Sequence, residues 1–328
     1  MMAMMAVACR MAPNSQTDAQ VVFENGYYPY CTLWQGKYYY TMQIPSADSI
    51  VLYANADPKG LAKGERKCVW HDSKMMHIWS PELHRLSSKW YIYFEADGGN
   101  TDDHQLYVLE NLSDDPMKGE FKLMGVIKTN DEWNFGLHPT SIVLQGQQYL
   151  LWSGWQHRRS ETETQCIYIA RMENPWTLSS ERVLLSKPDL EWERQWINPD
   201  GTRSNYPIFV NENPEAFVTK DGRYVCVCYS ASGIWTVYHA LGMLYARIGD
   251  NLLNPQSWTK VQEPLFKGQD DNPLYGTSNV SIVPSSNGQD FLLYYEALWN
   301  DEQGNNHRDV HLKHIAWDKN GLPDFGQP

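Results

Sequence analysis

The stretch FVNENPEAFV, residues 209–218, sets a glutamate and an Asn-Pro pair at the head of an apolar, strand-like run. A carboxyl group placed there can donate a proton if its surroundings keep it protonated. Three other segments share part of this layout. NGYYPYCTLW, HIWSPELHRL and FGLHPTSIVL place Pro29, Pro81 and Pro139 just ahead of a hydrophobic run, as Pro214 is placed after Glu212. The residues beside these prolines differ in chemistry. Tyr28 offers a phenol, which is mostly protonated at neutral pH unless a base assists it. Trp79 offers a flat apolar face that can stack on a sugar ring, and Glu82 a second carboxyl. His138 offers an imidazole that can give or take a proton near neutrality. Asn213 adds an amide beside Glu212, and a fifth segment, YGTSNVSI, supplies Ser278 and Asn279 without a proline.

Side chains so far apart in sequence act together only if the fold brings them together. The chain repeats one pattern: an apolar run, a small turn, then an aromatic-rich run. It appears as CTLWQGKYYYTM, HRLSSKWYIYFEA, SIVLQGQQYLLWSGW, AFVTKDGRYVCVCYSASG and SIVPSSNGQDFLLYYEAL. The turns fall near Gly36, Ser88, Gly146, Gly222 and Gly288, 52 to 76 residues apart. Further alternating runs follow within each unit, such as HQLYVLE, CIYIARM and HLKHIAW. Short strands at this period are the signature of propeller blades. The expected fold is all-β, a five-bladed β-propeller over residues 21–328, with residues 1–20 as an N-terminal tail. In a propeller the innermost strands begin around a central channel, so Tyr28, Trp79, Glu82, His138, Glu212, Asn213 and Ser278 are expected at one mouth.

Composition sets outer bounds. Aromatic residues make up 13% of the 328, with 14 Trp and 20 Tyr, and these pack well on pleated surfaces. The formal net charge is −12 with no basic run, which argues against nucleic acid and anionic membranes as partners. No apolar stretch reaches the length of a membrane span. The six cysteines show no metal-ligand spacing, and Cys226 and Cys228 point to one side of one strand, so buried free thiols are expected. The opening MMAMMAVACRMA lacks a basic leader and reads at best as a degraded or truncated signal peptide. Sequons stand at Asn111 and Asn279. Nothing here sets the oligomeric state.

From about Asn25 to the end, the chain resembles glycoside hydrolase family 43, the arabinofuranosidase and β-xylosidase propellers. IWSPELHRLSSKWYIYFEADGG is similar to the family's second blade. LWSGWQ, NPWTLSSERVLLSKP, YSASGIWT and WDKNGLPDFGQP resemble its arabinofuranosidase-like branch. The resemblance implies a saccharide or related small-molecule ligand, an extracellular or periplasmic setting, and inversion at the anomeric carbon by three carboxylates. One acts as base, one as acid, and one tunes the acid. Carried over position by position, the acid falls on Glu212, the base on Tyr28 and the tuning aspartate on His138. The family's fifth-blade histidine, often near a cation, falls on Ser278, and a late arginine falls on His311, while Arg308 matches. The glycine after the acid has become Asn213.

These departures leave three readings open. The first is an altered hydrolase with Glu212 as proton donor and His138 or a loop carboxylate as partner. The second is a propeller that only binds a saccharide, and the third is non-hydrolytic acid/base chemistry by Tyr28, His138 and Glu212. Tyr28 reads as a stacking platform more readily than as a nucleophile. Glu24 would sit about 13 Å from Tyr28 along a strand, too far for an inverting pair. Glu215 would face away from Glu212 on a regular strand. Asp48, Asp97 and Asp102 lie on segments that could reach the mouth. No cofactor and no tightly bound metal are expected.

Overall fold

The hairpin turns fall where the small residues are. Gln35–Gly36, Ser87–Ser88 and Gln145–Gly146 each hold two consecutive residues at positive φ, the backbone that matches the twist of paired strands. Gly222 and Gly288 close longer turns onto Thr219 and Ser285. The computed structural model describes residues 19–44, 48–157, 163–202, 207–268, 274–301 and 303–328. Most of the expected N-terminal tail, Cys9 included, lies outside the described residues, while Gln20 already belongs to a strand.

Five antiparallel hairpins result. They pair Tyr30–Trp34 with Lys37–Ile44, Met76–Leu86 with Lys89–Asp97, and Leu137–Leu144 with Gln147–Trp155. Ile208–Val218 pairs with Tyr224–Ala231, and Leu274–Pro284 with Phe291–Asn300. Third strands extend each unit outward: Ser49–Asn55, Gln105–Asn111, Glu163–Asn174, Ala240–Arg247 and Asn306–His314. The fifth sheet is completed by Gln20–Phe23 from the other end of the chain, paired with Asn306–His314. The third and fourth units also share a short parallel pairing, Glu163–Asn174 against Ile208–Val218, which joins them into one sheet. Helical structure among the described residues is confined to short 3-10 turns, so the chain is all-β. Among the described residues, no helix is long and apolar enough to cross a membrane.

Both faces of these sheets are apolar because each packs on two neighbours. Tyr38 and Tyr40 join a core shared with the fifth unit, whereas Tyr39, one residue on, joins the core shared with the second. Alternation along a strand sends successive side chains to opposite faces. The same holds around the molecule, with five clusters each lying between two units, the last also touching the first. Burying one such ring contributes roughly 1.5–3 kcal/mol. The first strands of the hairpins touch one another in sequence and the fifth touches the first, so they are called inner strands below. Cys31, Cys166, Cys226 and Cys228 are buried free thiols, but Cys68 is exposed on an outer strand, against the expectation of burial.

Candidate functional site

Each inner strand is kinked at the same place. Tyr28, Ser80, His138, Asn213 and Asn279 adopt positive φ of 46, 45, 51, 51 and 37°. Four of them precede a proline, and the register of pairing slips around the last four. A left-handed conformation is costly for a residue with a Cβ, so five in matching positions mark a built feature. The bulge bends the strand and re-aims its side chains. One narrow pocket results, lined by Tyr28, Tyr30, Ser80, Glu82, His138, Asn213 and Asn279 with the neighbouring prolines.

The structure also corrects two expectations. Glu215 does not turn away: the slip between Glu212 and Glu215 brings it inward, two residues past the kink, where Glu82 stands in the second unit and Thr140 in the third. Burial pushes the Glu215 carboxyl up to about 8, with the Thr140 hydroxyl and the Ile282 N–H (3.1 Å) opposing. Glu82 is also held well above the usual carboxylate range, by burial first and then by the charge of Glu215. His84 Nε2 lies 2.9 Å from Glu82, and burial lowers that imidazole to about 3. Glu24 is not on a strand leading to Tyr28 at all. It is exposed in the turn after Phe23, so the distance argument along a strand does not apply.

Tyr28 sits in the pocket with its ring 5.6 Å from that of His138. Burial holds its phenol above the usual tyrosine range, against the pull of Arg308. His138 is buried, with Nδ1 3.4 Å from Ser153 Oγ and Nε2 3.7 Å from Glu95 Oε1. Burial, then the charge of His104, lowers its imidazole to about 3, so it is neutral near pH 7. Glu212 stands one residue ahead of the fourth kink, and its charge is felt by both Tyr28 and Glu95. Ser278, one residue ahead of the fifth kink, donates to Glu296 Oε2 at 3.0 Å. Arg308 pairs with the same carboxylate and lies 4.7 Å over Tyr27 and 5.7 Å over Tyr28.

Of the expected residues, Tyr28, Glu82, His138 and Asn213 line this pocket, and Glu212, Ser278, Arg308, Trp79 and His311 do not. Trp79 stacks on His104 at 4.5 Å and packs with Phe135, Leu137, Trp155 and Trp133. His311 pairs with Tyr295, 5.4 Å between rings, and so lies on the face of the fifth sheet opposite Glu296 and Arg308. Asp97 is tied to His77 Nδ1 at 2.9 Å. Both sequons are closed, since Asn111 and Asn279 are buried. A cation near the fifth unit has no fitting donor set. Ser278 and Arg308 occupy Glu296, and among the described residues no three His, Cys, Asp or Glu side chains cluster to hold an ion.

Sequence reasoning missed a ring of second-strand residues. Ser153 Oγ accepts from the Asn213 N–H at 3.1 Å, and Ser230 Oγ from the Asn279 N–H at 3.0 Å. Glu296 accepts from the Tyr28 N–H, and Glu95 stands in register to receive the His138 N–H. The third, fourth and fifth units thus each offer an acceptor to the kinked residue of the next, and Glu95 holds the corresponding place in the second. A signal was there: Phe94-Glu95-Ala96, Trp152-Ser153-Gly154, Tyr229-Ser230-Ala231 and Tyr295-Glu296-Ala297 all read aromatic, polar, small. A charge inside an otherwise apolar strand is the part worth noticing.

Residues 19–323 match the family model for glycosyl hydrolases family 43. The chain is 35% identical over 305 residues to the extracellular exo-alpha-(1->5)-L-arabinofuranosidase of Streptomyces avermitilis, covering 89% of this chain and 60% of that protein. It is 32% identical over 303 residues to alpha-L-arabinofuranosidase 43 of Humicola insolens, covering 89% of this chain and 60% of the relative. The chain therefore spans about 60% of the length of these relatives. Among solved structures it is similar to an alpha-L-arabinofuranosidase from Lactobacillus brevis, with TM-score 0.82 and 28% identity over 94% of this chain and 95% of the other. A thermostable family-43 glycoside hydrolase shares the fold at TM-score 0.71 and 17% identity, over 93% of this chain and 96% of the other. With the match running from the closing strand through the last sheet, the chain belongs to glycosyl hydrolases family 43.

Proposed function

We propose that this chain is a five-bladed β-propeller acting on an arabinofuranoside-type saccharide, with Glu212 as its proton donor and an altered set of partners. The observation that carries this reading is the convergence of five kinked inner strands on one pocket, with Glu212 just ahead of the fourth kink. The closed cycle of inner-strand contacts and the five shared cores support the blade count. The curated relatives, named as arabinofuranosidases, support the sugar class.

Tyr28 and His138 stand where the family's other two carboxylates would stand. Neither supplies an ionised base near neutrality, because the phenol stays protonated and the buried imidazole has both nitrogens facing protein groups. Water activation is then the weak half of the reaction, and leaving-group protonation by Glu212 the preserved half. The test compares an aryl arabinofuranoside with an unactivated arabinofuranosyl linkage. Glu212→Gln should slow the unactivated substrate by about 10²–10⁴-fold and the aryl glycoside far less, since a good leaving group needs little protonation. Equal losses on both substrates, or no turnover by the parent, would overturn the hydrolytic reading. The neutral state of Tyr28 and His138 favours a second reading, a propeller that binds saccharide without cleaving it. Calorimetric binding of arabinose or an arabino-oligosaccharide with no turnover is its signature.

A further inference from the structure

Arg85 stands on the second inner strand, Met76–Leu86, five residues past the kink at Ser80 and so roughly 16 Å further along. It lines a cavity of about 490 Å³ at the hairpin-turn end of the first three units. That volume falls within the roughly 300–1,000 Å³ of small-molecule sites. The guanidinium lies 4.1 Å over the Trp34 ring and 5.1 Å over that of Trp90, which fix its position. Among the described residues it pairs with no carboxylate, and its buried Nη1 has no hydrogen-bond partner. Other arginines differ. Arg308 pairs with Glu296, Arg223 with Asp221, and Arg182 donates to the carbonyls of Trp155 and Gln156. Ring contacts offset part of the cost of desolvating a cation, and an anion from outside the chain would offset the rest.

The rest of the lining suits a charged sugar. No carboxylate lines the cavity, although the chain carries 39 acidic residues against 27 basic ones. Thr32, Ser88 and Tyr30 bring hydroxyls to its wall, and Ile142 and Val143 an apolar side. Ser88 and Val143 are exposed at the rim, so the cavity is open to a solute. Tyr30 holds its hydroxyl 3.2 Å from His84 Nδ1 and is the residue shared with the pocket at the kinks. Burial keeps the His84 imidazole neutral, which leaves Arg85 as the charge that faces the cavity. We propose that this cavity is a second saccharide site, specific for a uronic acid. Arg85 takes the sugar's carboxylate, the hydroxyls of Thr32, Ser88 and Tyr30 bond its ring hydroxyls, and Ile142 and Val143 meet its apolar face. A planar guanidinium matches a carboxylate in shape, and one cation matches its single charge. A phosphate monoester would bring a second charge into a chain of net charge −12 with no further cation in the lining to meet it. The site is separate from the one that holds Glu212 and does not depend on how that site acts.

Isothermal calorimetry on the full chain tests this without any need for turnover. One equivalent of D-glucuronate should bind, at least about tenfold tighter than D-glucose, which has the ring without the charge. Acetate, which has the charge without the ring, should also bind at least about tenfold more weakly. Arg85→Met should abolish the preference for glucuronate over glucose, and Arg85→Lys, which keeps a cation but loses the fork, should lose most of it. Thr32→Val and Ser88→Gly each remove one hydroxyl and should weaken glucuronate roughly two- to tenfold. Ser88 stands at φ 66°, where glycine sits without strain, so that variant keeps the test decisive if the Arg85 variants fold poorly. Glu212→Gln should bind glucuronate as the parent does, so a failure of the hydrolytic reading leaves this site standing. No binding, glucose or acetate bound as tightly as glucuronate, inorganic phosphate bound more tightly, or a preference that survives Arg85→Met would overturn the proposal. So would loss of glucuronate binding in Glu212→Gln, which would move the ligand to the pocket at the kinks.

Discussion

Tyrosine at position 28 changes the shape and the charge of the pocket together. The ring fills the space beside His138, its phenol stays protonated, and its backbone N–H is claimed by Glu296. On the proposed reading of Tyr28 and His138, restoring the family's chemistry takes more than restoring two side chains. Tyr28→Asp with His138→Asp would set one new carboxylate among Glu296, Glu95 and Glu212, and another beside Glu95, where Nε2 now lies 3.7 Å away. Among the described residues, Arg308 lies over Tyr28 and already serves Glu296. The double variant is expected to cleave aryl arabinofuranosides and xylosides no faster than the parent and to melt at a lower temperature. A clear gain in turnover would show that two substitutions alone had silenced a hydrolase.

At the scale of the strand, the site depends on a kink that no local motif announces in full. The hairpins were legible because their turns rest on small residues such as Gly36 and Gly146, and the alternating aromatic runs gave the strands. The prolines marked four kinks of five. What a regular strand could not reveal was the slip itself, which turns Glu215 inward and makes Ser80 a lining residue. Nor could it pair Glu95 with His138, since that contact joins strands of different units. The family resemblance points to the late histidine, His311, but one residue of register decides which sheet face it takes. Asn213 tests the kink directly at φ 51°. Asn tolerates this conformation and a β-branched residue does not. Asn213→Val should cost about 1–2 kcal/mol in denaturant unfolding, whereas Asn213→Gly should stay within a few tenths. Equal effects would mean that the amide side chain, rather than the backbone, is what position 213 requires.

At the scale of the molecule, the pocket survives only while the cycle of units stays closed, and closure rests on four residues from the start of the described chain. Gln20–Phe23 pairs with Asn306–His314 and completes the fifth sheet. Phe23 then reaches across to the first unit, stacking on Tyr40 at 4.6 Å and meeting Tyr53 edge-on at 5.1 Å. Val22 and Val310 fill the same core, and the Cβ of any larger residue at Gly26 would meet Val310 Cγ2 at 2.7 Å. The closing strand is thus bonded to the fifth unit and packed on the first. Tyr28, five residues after Phe23, takes its backbone acceptor from the fifth unit too. Phe23→Ala should therefore cost about 3–5 kcal/mol, the range for removing a buried aromatic ring. Because every unit leans on two neighbours, the loss should appear as one cooperative transition at lower denaturant. Hydrogen exchange should rise together in Lys37–Ile44 and Phe291–Asn300, the strands on either side of the closure. Exchange confined to Gln20–Phe23, with the rest of the transition unchanged, would show that the cycle holds without its closing strand. The position of Tyr28 over the pocket would then need another support.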